Sequence, residues 1–272
     1  MMRPVTAATA SLVMLLGLPC SVRAQASVGG PPDLPAVERY RIEAMAAIWA
    51  PGADIIVSSD AAGIPGTRID LKRDVGMSDQ RFPELQLTWR PKLRHRFRLQ
   101  YIPVRFDSTA TLSRDLVFNG ATYLSGQPVT ARLDWTTYRF GYEYDFVVRR
   151  RVTAGFIAEV KHTVVRAAFR AAPLDEVSRQ AMPVPAVGGV LRLYPAPRLT
   201  LTGEATFFGV PDRADGHYGG RVADIDASAV WSIGRHLGAQ LGYRAIDIHH
   251  LGEWNTADFK LKGVYAGAVV RY

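Results

Sequence analysis

The 272-residue chain is nearly devoid of cysteine: there is one, Cys20. It lies in an N-terminal stretch that reads as a secretory signal peptide, with Arg3 as the positive start, an apolar run from Val5 to Leu18, and a small-x-small cleavage pattern at Val22-Arg23-Ala24. Pro19 stands where a lipoprotein signal would need a small residue, so Cys20 is expected to leave with the signal (residues 1–24). A mature chain beginning near Gln25 then has no disulfide, no Cys-metal site and no Cys nucleophile. Long apolar runs are scarce too. Beyond the signal the longest is Ala44 to Ala50, far short of the ~18 residues a spanning helix requires. If this chain crosses a membrane, it must do so as a closed β-barrel, because an open sheet edge in lipid would leave backbone groups unpaired. A phosphate-binding P-loop, a dinucleotide fingerprint and a Gly-x-Ser-x-Gly elbow are also missing, so no cofactor is expected.

What is present begins with charge. The net charge of +8 falls to +6 once Arg3 and Arg23 leave with the signal. Such basicity can mark nucleic-acid binding, but an exported protein meets anionic lipid and lipopolysaccharide headgroups or acidic solutes instead, and no nucleic acid. Residues 25–36 are rich in Gly, Pro and Ser and read as a periplasmic leader. Residues 37–272 suit one all-β unit.

Within that unit, very short basic or Pro-containing turns (Pro91 to Arg94, Arg149 to Arg151, Pro195 to Arg198, Gly234 to His236) alternate with longer polar connections (Pro51 to Gln80, Thr109 to Pro128, Ala171 to Ala181, Pro211 to Gly220, Leu251 to Thr256). An antiparallel up-and-down transmembrane β-barrel has this layout, with short periplasmic turns and longer outer loops. The expected strands are 37–50, 80–90, 95–108, 129–147, 151–168, 183–194, 198–210, 220–232, 236–250 and 257–272, ten in all, with eight or twelve as neighbouring solutions.

Side chains alternate across a strand, so each stretch has two phases. One is apolar and is assigned to lipid: Ile42, Ala44 and Ile48; Leu85, Leu87 and Trp89; Tyr138, Phe140, Tyr142, Tyr144 and Phe146; Leu237, Leu241 and Tyr243. The sixth strand is apolar on both faces and its phase stays open. Trp89, Tyr40, Phe146, Tyr194, Trp231 and Tyr272 fall near short turns or a terminus and are expected in an aromatic girdle. The opposite phase carries ions of both signs. Its lumen-lining candidates are Arg41, Glu43, Glu84, Arg98, Arg139, Glu143, Glu159, Lys161, Glu204, Asp226 and Arg244, with Arg39, Arg96, Asp145 and Asp224 on the same phase. Such a lumen is either an internal ion-pair network or a narrow route for a small solute.

The last ten residues, Gly263 to Tyr272, alternate to an apolar face and end in an aromatic. They resemble the closing strand of Gram-negative outer-membrane β-barrels, in which the terminal aromatic is part of the signal read by the barrel-assembly machinery. Tyr272 is assigned that role. A second resemblance covers mainly residues 60–105. Gly66-Thr67-Arg68-Ile69-Asp70-Leu71, followed by Asp74-Val75-Gly76, is similar to a segment of a family of largely uncharacterised bacterial outer-membrane barrels of the OmpW-like or porin-like class. That likeness implies a cell outer-membrane location and an envelope-structural or small-solute role. The alternation of Ile69 and Leu71 with Asp70 and Lys72 suggests a strand extension or small hairpin.

Enzymatic chemistry has one leading candidate locus, since His162 falls on the opposite phase from Glu159 and Lys161 beside it. His249 and His250, with Asp247 and Glu253, close the ninth strand, and Asp212, Asp215 and His217 occupy the preceding connection. A His beside a carboxylate at a barrel rim can activate water, and omptin proteases place such a site on ten-stranded barrels. This chain resembles them in strand count and rim position without a shared motif. Adjacent His residues on a strand point to opposite faces, which argues against a shared metal. The expectation is a non-enzymatic barrel with no catalytic or metal residues, the alternatives being an adhesive barrel acting through its loops and a rim hydrolase.

Overall fold

The computed structural model describes residues 38–61, 64–210, 219–251 and 255–272. The expected signal peptide and leader, and Asp212, Asp215, His217 and Glu253, lie outside these residues. The described chain is all-β. Ten long antiparallel strands form the wall: β1 (Ile42–Ser59), β3 (Phe82–Lys92), β4 (His95–Thr111), β7 (Pro128–Arg149), β8 (Val152–Ala171), β9 (Leu174–Ala196), β10 (Leu199–Val210), β11 (Gly219–Ser232), β12 (Leu237–Leu251) and β13 (Asn255–Arg271). Each pairs with its neighbour in sequence, and β13 closes on β1 in an unbroken register from Glu43↔Arg271 to Ser59↔Asn255. Tyr272 ends the seam: its amide donates to the Ile42 carbonyl (2.8 Å), and its own carbonyl accepts from the amides of Arg41 (2.8 Å) and Ile42 (2.9 Å). Both described ends and the short turns share one rim, the turn end. The longer connections share the other, the loop end.

Around the turn-end half, outward positions are apolar and exposed: Ile48, Leu85, Leu99, Phe140, Phe156, Leu191, Ile225, Leu241 and Val264 among them. About five successive outward positions per strand, or roughly nine residues tilted ~40° at ~3.3 Å rise, make a belt roughly 23 Å tall, which matches the apolar band of outer-membrane barrels. On one side it carries a ladder of rings, with Trp89 on Phe97 (5.4 Å), Phe97 on Tyr142 (5.3 Å) and Tyr101 on Tyr138 (5.1 Å). Trp89, Phe146, Trp231 and Tyr272 are exposed near the turn end. Tyr40 and Tyr194 depart from the expected girdle and face inward. Tyr40 accepts from Arg96 (2.9 Å) and lies under the Arg271 guanidinium, and the Tyr194 hydroxyl meets Thr153 (3.2 Å). A phenol serves the ionic interior as a hydrogen-bond partner, so an aromatic near a turn is not by itself a lipid anchor.

Above the belt the pattern inverts. Inward residues become apolar (Ile55, Val57, Val104, Phe106, Leu133, Phe259, Leu261), and outward ones become charged (Asp54, Arg105, Asp107, Arg132, Lys260, Lys262). The wall therefore continues past the membrane band as a water-exposed barrel with an oily core. Two expected loops are in fact strand. β1 runs through Pro51 to Ser59, and β8 and β9 extend to a tight turn at Ala172-Pro173 where a connection from Ala171 to Ala181 was expected. The lipid-out, ion-in alternation ends before the strands do.

The Gly66–Gly76 segment forms the two-residue strand β2 (Ile69–Asp70), which pairs with Ile56 and Val57 of β1 above the end of β3. A single helical turn follows, capped by Asp70, whose carboxylate accepts from the amides of Lys72 (3.0 Å) and Arg73 (3.1 Å). Ile69, Leu71 and Val75 drop into the core. A small hairpin, β5 (Leu116–Phe118) and β6 (Ala121–Tyr123), covers the same side, with Phe118 packed on Phe169 (4.6 Å). Together they cap the loop end over β1, β4 and β8, and Asn119 donates to Glu176 of β9 (2.8 Å).

Candidate functional site

The lumen has two stacked compartments. The turn-end compartment is filled by ion pairs that reach across the barrel. Arg98 of β4 meets Glu204 of β10 (Nη2–Oε1 3.1 Å), and Arg244 of β12 meets Glu84 of β3 (3.0 Å) and Asp224 of β11 (2.7 Å). Arg139 bridges Glu159 (2.7 Å), Glu204 (3.3 Å) and Asp224 (3.2 Å), and Lys161 bonds Asp224 (3.0 Å) and Glu159 (3.3 Å). Nearer the turn end Glu38, ahead of β1, folds in under the wall to take Arg96 (2.9 Å) and Arg90 (3.2 Å). Arg96 also reaches Asp145 (3.2 Å), and Glu143 is held by Arg192 (2.9 Å). These side chains are at most about a tenth exposed. The free space left among them is about 80 Å³, a few waters at most. Paired side chains fill most of this compartment.

The expected lumen residues fall as follows. Glu84, Arg98, Arg139, Glu143, Glu159, Lys161, Glu204 and Arg244 belong to the lattice just described. Glu43 pairs with Arg271 at the turn end (2.6 Å). Asp226 is half-buried and accepts from the Tyr265 hydroxyl (3.0 Å). Arg41, with Arg39, is exposed at the rim and stands apart from the lattice. Arg41 precedes the first strand, and Tyr40 beside it turns inward, so the alternation that placed Arg41 inward does not yet hold there. Three lattice members were not among the expected residues: Glu38, Arg90 and Arg192. Glu38 precedes any strand, so no alternation could point to it. Arg192 sits in the strand that is apolar on both faces, and its charge was the available signal.

Above this lattice lies a cavity of about 290 Å³ with an oily wall: Ile102, Val104 and Trp135; Val165; Met182 and Val184; Phe208 and Val210; Val222; Ile246 and Ile248; and Phe259. Its floor is the top of the lattice, Arg139, Lys161, Asp224 and Arg244, with every charge already matched. The cavity wall draws on β4, β7 to β12 and β13.

Among the described residues the wall beside it is unpaired between two strands. β9 and β10 pair only from Ala196↔Leu199 to Val187↔Phe207. Above that point β9 continues to Leu174 bonded to β8 alone, and among the described residues nothing pairs with its other edge. Pro183 and Pro185 lie on this stretch, and proline is tolerated at a free edge. Met182 and Val210, both on the inward phase, are 41% and 47% exposed, which a continuous wall would not allow. Gly188 marks the last close approach: a Cβ there would overlap the Ala205 carbonyl oxygen.

At the loop rim, His249 and His250 face opposite ways. His249 is outward, where its ring bonds Asp258, which also holds Arg68 (3.1 Å). His250 lies along the cavity wall. Among the described residues no group of His, Cys, Asp and Glu is arranged to hold a metal ion.

Comparison with known proteins supports the architecture. No protein-family model matches the chain, and no curated protein does. Among solved structures, the outer membrane protease OmpT from Escherichia coli superposes with a TM-score of 0.55 at 8% identity, covering 85% of this chain and 97% of that one. Looser matches are the attachment invasion locus protein Ail of Yersinia pestis (TM-score 0.36, 8% identity, 86% and 99% covered) and outer membrane protein AlkL (TM-score 0.38, 11% identity, 86% and 92% covered). The chain has the fold of a small outer-membrane β-barrel. At these identities the likeness extends to the fold alone.

Proposed function

We propose that this outer-membrane barrel takes a small, uncharged, hydrophobic molecule into its outer half and exchanges it with the membrane, while its inner half blocks ions. The turn end then faces the periplasm and the loop end the exterior. The carrying observation is the oily cavity seated on a charge-matched floor. A pocket of about 290 Å³ is at the lower end of small-molecule sites. Because Arg139, Lys161 and Arg244 are already neutralised, a charged ligand would lose its hydration there without gaining a counter-ion. The opening between β9 and β10 adjoins the upper part of the apolar belt, where the outward residues are Val187, Pro185, Pro183 and Ala181. A lipophilic ligand can enter from the lipid side without crossing water.

The test uses the full barrel in detergent and in planar bilayers. A neutral fluorescent hydrocarbon probe is expected to bind with one site, a Val222→Trp variant that fills the cavity is expected to bind at least about tenfold more weakly, and bilayer traces are expected to stay closed. Steady single-channel conductance, or equal binding by a V222W barrel that retains heat-modifiable gel migration, would overturn the proposal.

A further inference from the structure

One row of the outer surface carries an unbalanced charge. At the upper border of the apolar belt, four strands are joined rung to rung: Arg105↔Asp134, Asp134↔Arg166 and Arg166↔Arg179. All four side chains lie on the outward phase, and Arg105, Arg166 and Arg179 are exposed. Asp134 is engaged by Arg105. Arg166 and Arg179 are thus left directly opposite each other on β8 and β9, with no carboxylate partner among the described residues. Like charges facing each other across an antiparallel pair are destabilising, and the neighbouring exposed rungs avoid the arrangement: Arg132 faces Asp107 one rung higher on β4 and β7, and Arg170 faces Asp175 on β8 and β9.

The level of this row is informative. Two rungs below it, Tyr101 and Tyr138 stack on the outer face, the position of amphipathic rings at a membrane interface. On β8 and β9 themselves Arg166 and Arg179 follow directly on the outward apolar residues Val164 and Ala181, which puts the pair at headgroup height. We propose that Arg166 and Arg179 form a site for a phosphate group on the headgroup of an outer-leaflet glycolipid. A phosphate placed between the two guanidiniums accepts hydrogen bonds from both and cancels the repulsion that the pair otherwise carries. This site is on the outer wall and is independent of the cavity.

A structural role and a lipid-binding role predict opposite signs. The double variant Arg166→Gln/Arg179→Gln removes the repulsion, so the lipid-free barrel is expected to unfold at the same temperature as the parent or higher. Added bisphosphorylated lipid A is expected to raise the unfolding temperature of the parent and not that of the variant, with apparent affinity reduced about twenty- to thirtyfold. Arg166→Lys/Arg179→Lys is expected to keep most of the effect. Dephosphorylated lipid A and millimolar inorganic phosphate are expected to stabilise neither protein. Equal stabilisation of parent and glutamine variant by lipid A would overturn the proposal, as would a glutamine variant less stable without lipid. Stabilisation by inorganic phosphate alone would overturn the assignment to a lipid headgroup.

Discussion

The two halves of the barrel are built on the same ten strands with opposite polarity. In the turn-end half the outside is oily and the inside ionic. In the loop-end half the inside is oily and the outside ionic. β4 shows the change along one strand: Phe97, Leu99 and Tyr101 face out while Arg96, Arg98 and Gln100 face in, and then Ile102, Val104 and Phe106 face in while Arg105 and Asp107 face out. Strand geometry is indifferent to the exchange, since the period is two in both halves. The surroundings decide it. Lipid accepts no ions, so ions collect inside, where they must be mutually paired. Water accepts them, and above the membrane the ordinary drive to bury apolar surface returns. The oily cavity exists because the second regime starts before the barrel ends.

The largest expected effect comes from breaking the ionic half. Arg244 is 1% exposed and serves both Glu84 and Asp224. Arg244→Ala would leave two buried carboxylates facing each other across the lumen with one fewer cation. A loss of about 3–5 kcal/mol is expected, read from urea unfolding of the refolded barrel in lipid vesicles. A loss below about 1 kcal/mol would mean that water reaches the lattice freely and that the inner half is not sealed.

A smaller effect separates the two outer surfaces. Leu241 lies centrally on the lipid-facing side of β12, and Val177 lies outward on β9 above the belt. Leu241→Lys is expected to cost about 2–4 kcal/mol, as a charge at mid-membrane does. Val177→Lys is expected to stay within about 0.5 kcal/mol, as for other water-exposed surface positions. Equal costs at the two sites would erase the boundary drawn at Arg105, Arg166 and Arg179.

That boundary also explains what could be read from the chain in advance. Alternation along Tyr138 to Phe146, the closing strand to Tyr272, and the regular spacing of short basic turns all speak of the membrane half, and they give the barrel, its strand number and its seam. Beyond the belt the same residues reverse meaning. Ile55, Val57 and Val104 look like lipid-facing positions with the wrong phase, and the polar outward residues from Asp54 onward look like loop. The expected first strand therefore stops at residue 50 and the sixth starts at 183, each short of its true extent by about nine residues. The cavity was hidden for a related reason: its wall comes from inward positions of the expected strands, Val104, Trp135, Val222 and Ile246 among them, where an ionic interior was expected to continue. Arg192 and Glu38 were out of reach of any single-strand pattern, because they are defined by partners far away in sequence, Glu143 and Arg96.

The smallest effect concerns the cap on the loop-end half, where charge again lies on the water side. Asp74 accepts from the Asp70 amide (2.9 Å) and from the Arg114 guanidinium (2.6 Å), and the turn from Asp70 to Gly76 hangs on these bonds. Burial alone would raise the Asp74 carboxyl, but the hydrogen bonds from Arg114 and the Asp70 amide outweigh it and hold it below its ordinary 3.8. A depressed carboxylate adds stability that is fully present above its unfolded pKa and is lost as pH falls through the folded one. Hydrogen-exchange protection of the Asp74 and Gly76 amides, which bond back to Asp70 and Lys72, is therefore expected to hold from neutral pH to about pH 4 and to fall below it. Asp74→Asn should lower that protection at neutral pH by less than about 1 kcal/mol, because Arg114 is partly exposed, and should flatten the acid transition there. The wall strands, fixed by a closed ladder, should keep their protection throughout. An acid transition unchanged in D74N would assign its order to Ile69, Leu71 and Val75 in the core instead of to the Asp74 carboxylate, and loss of the cap near pH 6 would assign it to another ionisable group.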